Sequence, residues 1–259
     1  MKLQKISKEK NIEPDSWLSL KAFTNARIAL GRTGVAVPLK ESLHFKLSHA
    51  HARDAVYSVL QSDKLVEMMQ QFQLPVITVA SAAVDRTTYL QRPDYGRKLN
   101  SVSARRLTEQ NTPQVDIVIV IADGLSATAV NEHAVPVLEK LIPLLKSSGF
   151  SIAPMVIATQ ARVALADEIG LLLKGKLSLI LIGERPGLSS ADSMGAYITY
   201  QPLPGTTDEK RNCVSNIRPA GLTYDVAAEK LSKLIRASLQ LKLSGILLKD
   251  DELYLPIPA

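Results

Sequence analysis

One stretch constrains the fold more than any other, because a strand, a tight turn and a long helix follow one another in it. Residues 115–121 read VDIVIVI, a mainly β-branched run typical of a strand buried on both faces of a parallel sheet. ADGLS follows, and residues 127–146 then repeat apolar side chains at helical spacing. Open α/β sheets bind ligands where such turns leave the carboxyl ends of their strands. The stretch therefore predicts where a ligand site lies.

The turn has two candidate helix caps. Either Asp123 or Ser126 can cap the following helix, and Gly124 allows the backbone to turn sharply. Asp123 has two interpretations, a helix cap or a ligand contact, and the turn alone does not decide between them.

Downstream of the turn the chain alternates between strand and helix patterns. The loop GERPGLSSADSMGAY is expected to lead into a short helix and a strand-like YITY. The other predicted elements are strands at 151–158 and 176–183, helices at 160–173 and 224–241, and a short strand or tail at 245–249.

Upstream, the pattern is mainly helical after a Lys-rich leader at residues 1–13. Helices are predicted over residues 14–28 and over 41–71, the second with a break near 62–63; residues 75–83 form either a short strand or an extended linker, and 87–111 a connection. The chain as a whole is predicted to be α/β, with a mainly helical N-terminal region over 1–100. A Rossmann-like domain with a mainly parallel sheet follows over 101–259.

Composition argues against several classes of function. The formal net charge of +6 is spread along the chain and only 5% of residues are aromatic, so nucleic-acid binding has little support. A single cysteine excludes an internal disulfide and suits a reducing cytosol. No apolar run reaches the about 18 residues that a membrane span needs. A soluble intracellular protein is expected.

Familiar catalytic motifs are absent. GLLLKGK resembles a phosphate-binding loop, but Leu177 replaces its Ser or Thr and the stretch leaves a helix rather than a strand. His44, His49 and His51 lack metal-ligand spacing and are interpreted as surface or interface residues. We therefore predict no catalytic residue and no metal ligand in this chain.

Two loops rich in small and polar residues are more unusual. GERPGLSSADSMGAY surrounds Glu184 and Arg185 with glycines, and RNCVSNIRPAGL holds Cys213 beside two asparagines. Exposed backbone N–H groups beside a carboxylate suit a large ligand with many amide and phosphate groups. From spacing alone, Cys213 is interpreted as a small buried hydrophobic residue.

These loops, with DGLSATA, FTNARIALGRTG and LSHAHARDAV, resemble the small (light) subunit of ethanolamine ammonia-lyase over nearly the whole chain beyond the first twenty or so residues. The resemblance implies a cobalamin-binding domain over 101–259 and a hetero-oligomer with a large catalytic subunit. It implies that the two chains use adenosylcobalamin to convert ethanolamine to acetaldehyde and ammonia, commonly inside a bacterial microcompartment.

The same resemblance implies three cofactor contacts, Val163, Glu184 and Cys213. It also implies that the cofactor's own base stays on cobalt. The residues agree with this, because no histidine lies in the Asp-x-His-x-x-Gly motif of proteins that replace the base. The alternative function is a stand-alone Rossmann-like binding or chaperone module that loads or senses a nucleotide-like ligand or cofactor.

Overall fold

The computed structural model describes residues 12–24 and 26–249. Nearly all of the predicted leader therefore lies outside the described residues. The described chain confirms the predicted α/β class, because it combines helices with one six-stranded sheet of order β1-β3-β2-β4-β5-β6. The strands are β1 Val76–Ala80, β2 Val115–Ala122, β3 Met155–Thr159, β4 Gly175–Gly183, β5 Met194–Tyr200 and β6 Arg211–Ile217. Strands β1 to β4 pair in parallel, whereas β4–β5 and β5–β6 pair antiparallel.

The helices are α1 Leu39–Tyr57, α2 Ser62–Met69, α3 Arg86–Gln91, α4 Ser101–Glu109, α5 Ala127–Ser147, α6 Leu165–Leu172 and α7 Tyr224–Leu241. Helices α2, α5 and α7 pack against one face of the sheet, and α4 and α6 pack against the other. Helices α5 and α7 agree closely with their predicted ranges, and the predicted break in the second N-terminal helix separates α1 from α2.

Strand β2 forms the centre of the core. Alternate residues along β2 belong to two apolar clusters: Ile117, Ile119 and Ile121 pack with α5 and α7, whereas Val118 and Val120 pack with α4 and α6. All five side chains are fully buried. Burial on both faces explains the continuous β-branched run, since neither face of the strand meets water.

The elements around β3 differ from their prediction. Strand β3 begins at Met155 rather than at residue 151, because Pro154 has no N–H to donate to a ladder and Ile152 makes only an isolated bridge. Helix α6 begins at Leu165 rather than at residue 160. Gln160 has a φ of +54°, which is incompatible with a right-handed helix. Val163, predicted to lie in this helix, therefore lies in the turn before it.

The predicted second loop is also wrong, because RNCVSNI is the edge strand β6. Its backbone pairs antiparallel with β5, with Cys213 opposite Tyr197. Arg211, Val214 and Ile217 are buried, and the more exposed polar residues between them gave the segment its loop-like composition. Cys213 is exposed, which contradicts its interpretation as a buried hydrophobic residue.

Other short segments also differ from expectation. The predicted helix over 14–28 is limited to a 3-10 helix at Leu18–Phe23, and residues 245–249 contain a 3-10 turn rather than a strand. The predicted connection over 87–111 includes most of α3 and all of α4. Residues 184–193 contain no helix. Residues 75–83 include β1, so the strand alternative is confirmed there.

The described residues form two compact units. One contains the residues up to Asp54 together with Gly187–Ala191, and the other contains Ala55–Pro186 and the residues from Asp192 onward. Strand β1 pairs with β3 and so belongs to the same sheet as the later strands. The domain boundary near residue 100 stays a prediction. No helix within residues 12–24 and 26–249 is long and apolar enough to cross a membrane.

Candidate functional site

A cavity of about 430 Å³ lies at the carboxyl ends of the central parallel strands. Residues from the turns after β2, β3 and β4 meet there, as expected where the strand order of an open sheet reverses. The lining residues are Tyr89, Gly124, Leu125, Arg162, Val163, Ile182, Gly183, Glu184, Arg185 and Tyr197. Two of the predicted contacts, Val163 and Glu184, therefore share one cavity.

Asp123 holds two of these turns together. Its carboxylate accepts hydrogen bonds from the backbone N–H groups of Gln160 (2.7 Å) and Ala161 (3.0 Å), in the turn after β3. Nη1 of Arg86 lies 3.8 Å from Oδ2 of Asp123. Burial raises the pKa of Asp123, although the two N–H donors and Arg86 oppose the shift. Asp123 is thus not the helix cap; Ser126 caps α5 by accepting from the Ala129 N–H.

Glycine is required where the turn after β2 passes the end of β4. Gly124 has a φ of +55°, and a side chain there would also overlap the Gly183 carbonyl oxygen. A side chain at Gly183 would in turn overlap the Ser126 carbonyl oxygen. The two glycines therefore bring the turn against β4 and leave bare backbone in the cavity wall.

Hydrogen bonds to one of its two carboxylate oxygens orient the Glu184 side chain. Oε2 accepts from the Ser193 hydroxyl and, at 3.4 Å, from the Asn216 backbone N–H. Within residues 12–24 and 26–249, no hydrogen bond reaches Oε1. Gly195 provides room for this oxygen, because a Cβ there would lie 2.9 Å from it. The side chain is thus positioned and keeps one acceptor available to a ligand.

Arg162 supplies the opposite chemistry, a hydrogen-bond donor, and no sequence pattern singled it out. Its guanidinium lies 4.1 Å from the Tyr89 ring centre, and its Nη2 donates to the Tyr89 carbonyl oxygen at 3.2 Å. Its Nε is buried and has no hydrogen-bond partner in the described part of the chain. Burial raises the pKa of the Tyr89 hydroxyl to about 12, so that group stays neutral. The only sequence feature that pointed to Arg162 as a site residue was its position directly before Val163.

The third predicted contact lies beside the cavity rather than in its wall. Cys213 is opposite Tyr197 across the β5–β6 pair, and Tyr197 lines the cavity. Partial desolvation raises the pKa of the Cys213 thiol, the Tyr197 hydroxyl opposes this by hydrogen bonding, and the Glu184 charge adds to the increase. Cys213 is therefore close to the site and mainly protonated at neutral pH.

A second cavity, of about 710 Å³, shares Arg162 and Val163 with the first. Arg97 and Lys98 also line it, together with Glu168, Asp208 and Glu209. The two cavities offer a carboxylate acceptor, guanidinium and ammonium donors, and an apolar edge. This set suits a large ligand that carries both amide N–H donors and oxygen acceptors.

Comparison with known proteins agrees with this organisation. The family model of the ethanolamine ammonia-lyase light chain (EutC) matches residues 14–249. Several relatives are called ethanolamine ammonia-lyase small subunit. The protein of Pseudomonas paraeruginosa (strain DSM 24068 / PA7) is 49% identical over 91% of this chain and 87% of the relative. The protein of Pseudomonas fluorescens (strain Pf0-1) is 49% identical over 93% of this chain and 89% of the relative. A third, from Azotobacter vinelandii (strain DJ / ATCC BAA-1303), is 48% identical over 91% and 88%. The chain belongs to the family of ethanolamine ammonia-lyase small subunits.

Proposed function

We propose that this chain is the cofactor-holding subunit of an ethanolamine ammonia-lyase. Adenosylcobalamin, with its own base on cobalt, binds at the cavity of Val163 and Glu184, and a large subunit completes the enzyme. One observation carries the proposal: two residues chosen by family resemblance, Val163 and Glu184, lie in different turns and line one cavity. When bound, adenosylcobalamin supplies the radical chemistry that converts ethanolamine to acetaldehyde and ammonia.

The residues of the cavity fit the chemistry of this cofactor. The corrin rim carries amide groups, and the available Oε1 of Glu184 can accept a charge-assisted hydrogen bond from an amide N–H. The unpaired Nε of Arg162 can donate to an amide or phosphate oxygen. Val163 supplies apolar surface, and Gly124 and Gly183 expose backbone. Cys213 pairs with the cavity-lining residue Tyr197, which supports its proposed contact with the cofactor's edge.

The surface of the compact unit that contains the described residues up to Asp54 supports the proposal of a protein partner. Many of its large apolar side chains are exposed, which is unusual for a surface that meets only water. They include Trp17, Phe23, Leu39, Leu43 and Leu47. Burial of these side chains by a large subunit would remove them from water, in keeping with a hetero-oligomer.

The test is reconstitution. The purified chain, a purified large subunit and adenosylcobalamin are combined in every pair and all together, and acetaldehyde release from ethanolamine is measured. We expect turnover only when all three are present, and co-elution of the two chains in gel filtration. Turnover by this chain with the cofactor alone, or no turnover by the complete mixture, would overturn the proposal.

A location within a bacterial microcompartment is a further part of the proposal and rests on the family resemblance. Fractionation of the native host after growth on ethanolamine tests it. We expect the chain to sediment with microcompartment shells; its recovery only in the free soluble fraction would contradict this location.

A further inference from the structure

His133 has an unusual environment away from the cavity. Its side chain, on α5, is only 4% exposed, and Nδ1 lies 2.9 Å from the Tyr224 hydroxyl oxygen. Nε2 is buried and has no hydrogen-bond partner among the described residues. A buried polar nitrogen without a partner is costly, so Nε2 requires a ligand of some kind.

Two carboxylates face this nitrogen. Asp192 Oδ2 lies 3.7 Å and Glu132 Oε2 lies 4.0 Å from Nε2, and the three atoms are all within 4.8 Å of one another. These separations are too long for hydrogen bonds. They suit a shared metal ion, because tetrahedral ligands at zinc bond lengths are roughly 3.4 Å apart. Bringing all three atoms to this spacing takes side-chain movements of at most about 1.4 Å, because they lie within 4.8 Å of one another.

Neighbouring groups already orient two of the three ligands. The Tyr224 hydroxyl can accept the Nδ1 proton of His133, and that tautomer leaves a lone pair on Nε2. Arg218 donates to Oδ1 of Asp192 at 3.2 Å, which leaves Oδ2 towards His133. Supporting contacts of this kind, a hydrogen bond to the second ring nitrogen and one to the carboxylate, are typical of metal ligands in proteins.

We infer that Glu132, His133 and Asp192 form a binding site for a divalent transition-metal ion of the Zn²⁺ type. One imidazole nitrogen with two carboxylates favours such an ion over Mg²⁺ or Ca²⁺, which prefer oxygen ligands alone. The carboxylates remain partly exposed, 58% for Glu132 and 38% for Asp192, so an ion can enter from solvent. Three protein ligands leave a fourth position for water.

The site joins parts of the chain that are distant in sequence, which is why the sequence analysis predicted no metal ligand. Glu132 and His133 lie on α5, whereas Asp192 precedes β5. Asp192 also adjoins Ser193, whose hydroxyl orients Glu184. A bound ion would therefore fasten α5 to the segment that positions Glu184. The inference itself does not depend on the proposed function.

Cobalt(II) and zinc titrations of the metal-stripped full-length chain test the site. We expect Co²⁺ to bind one-to-one with the visible absorption of a four-coordinate ion, and Zn²⁺ to displace it. His133→Gln should abolish this absorption. Asp192→Asn and Glu132→Gln, at partly exposed positions, should weaken binding while the chain stays folded, and Tyr224→Phe should weaken it about ten- to hundredfold.

His49→Gln and Cys213→Ser serve as matched controls, because they remove another histidine and the only cysteine. Both variants should retain the wild-type absorption. Zn²⁺ should also raise the melting temperature of the wild type more than that of Asp192→Asn, since an ion that binds the folded state stabilises it. Absence of one-to-one Co²⁺ binding, or its retention in both His133→Gln and Asp192→Asn, would overturn the assignment.

Discussion

Glu184 has one oxygen bound by protein groups and one oxygen available, and this asymmetry gives a sharp prediction. Glu184→Ala should weaken cobalamin binding by the reconstituted complex by about 1–3 kcal/mol, the usual cost of losing a hydrogen bond to a charged group. Folding should change little, since the side chain is only partly buried and lies in a loop after β4. Spectrophotometric titration with cobalamin measures the affinity.

Gly195→Ala provides a matched variant that keeps the carboxylate but moves it. The new Cβ would lie 2.9 Å from Oε1 of Glu184, and the flexible end of that side chain can yield at little cost to stability. We expect affinity to fall as in Glu184→Ala with the melting temperature nearly unchanged. Wild-type affinity in both variants would exclude Glu184 as a cofactor contact.

Cys213 can be tested chemically because it is the only cysteine. Its pKa is raised by partial desolvation, and the thiolate is the reactive form, so alkylation of the folded chain should have a higher pH midpoint than alkylation of the unfolded chain. Tyr197→Phe should raise the midpoint further, because the Tyr197 hydroxyl stabilises the thiolate. Iodoacetamide labelling followed by mass spectrometry gives the rates.

If Cys213 contacts the cofactor, cobalamin should slow this labelling in the reconstituted complex. The complex without cobalamin is the control for shielding by the large subunit. Equal labelling rates with and without cobalamin would contradict the proposed contact.

At the scale of elements, α6 and β6 are joined by a buried ion pair. Arg211 donates to both oxygens of Asp167 at 2.7 Å, and both side chains are at most 2% exposed. Asp167→Ala would leave the buried Arg211 charge with only the exposed Asp208 carboxylate, 3.4 Å from its Nε, as a counter-ion. We therefore expect the free energy of unfolding to fall by about 3–5 kcal/mol. Urea denaturation measures this change.

Lys140→Ala is the matched control, because Lys140 and Asp225 form an exposed ion pair between α5 and α7 at 3.0 Å. Loss of an exposed pair should cost about 0–1 kcal/mol. Similar decreases in the free energy of unfolding in the two variants would show that burial does not determine how much the Asp167–Arg211 pair stabilises the fold.

The elements that could be predicted are those whose environment is visible in local composition. Strands β2 and β4 are buried along almost their whole length, so their apolar runs identify them. Strand β6 lies at the sheet edge, and only its first, fourth and seventh residues, Arg211, Val214 and Ile217, are buried. It therefore lacks the alternation of a strand, and only its pairing with β5 distinguishes it from a loop. Similarly, the late start of α6 depends on Asp123, which lies far away in sequence and holds the Gln160 backbone.

The candidate site also depends on contacts between residues distant in sequence, which local composition does not reveal. Family resemblance selected Val163 and Glu184, and the position of its loop at a strand end also indicated Glu184. The strand order β3-β2-β4, which places their turns side by side, follows from long-range pairing. Arg162 escaped notice because a buried, unpaired guanidinium nitrogen has no sequence signature. The Glu132, His133 and Asp192 cluster has no sequence signature either, because Asp192 lies about 60 residues from the other two and only the fold brings them together.

At the scale of the whole molecule, the positions of the histidines bear on how the cofactor binds. His44, His49 and His51 belong to α1, and the residues that line the 430 Å³ cavity include none of them. His133 also does not line that cavity; its Nδ1 faces Tyr224 and its Nε2 faces the carboxylates of Asp192 and Glu132. None of the residues that line this cavity is therefore a histidine that could replace the cofactor's base.

We accordingly expect the cofactor's own base to remain on cobalt in the complete enzyme. Both subunits are produced on nitrogen-15 medium and loaded with unlabelled cofactor, and the EPR spectrum of the cobalt(II) form is recorded. An axial nitrogen from the cofactor gives the three-line splitting of nitrogen-14, whereas a protein histidine gives the two-line splitting of nitrogen-15. Enzyme made on ordinary medium is the control and should give the same three lines. A two-line pattern in the labelled enzyme would show that a histidine from one of the subunits has displaced the base, and the proposed binding mode would be wrong.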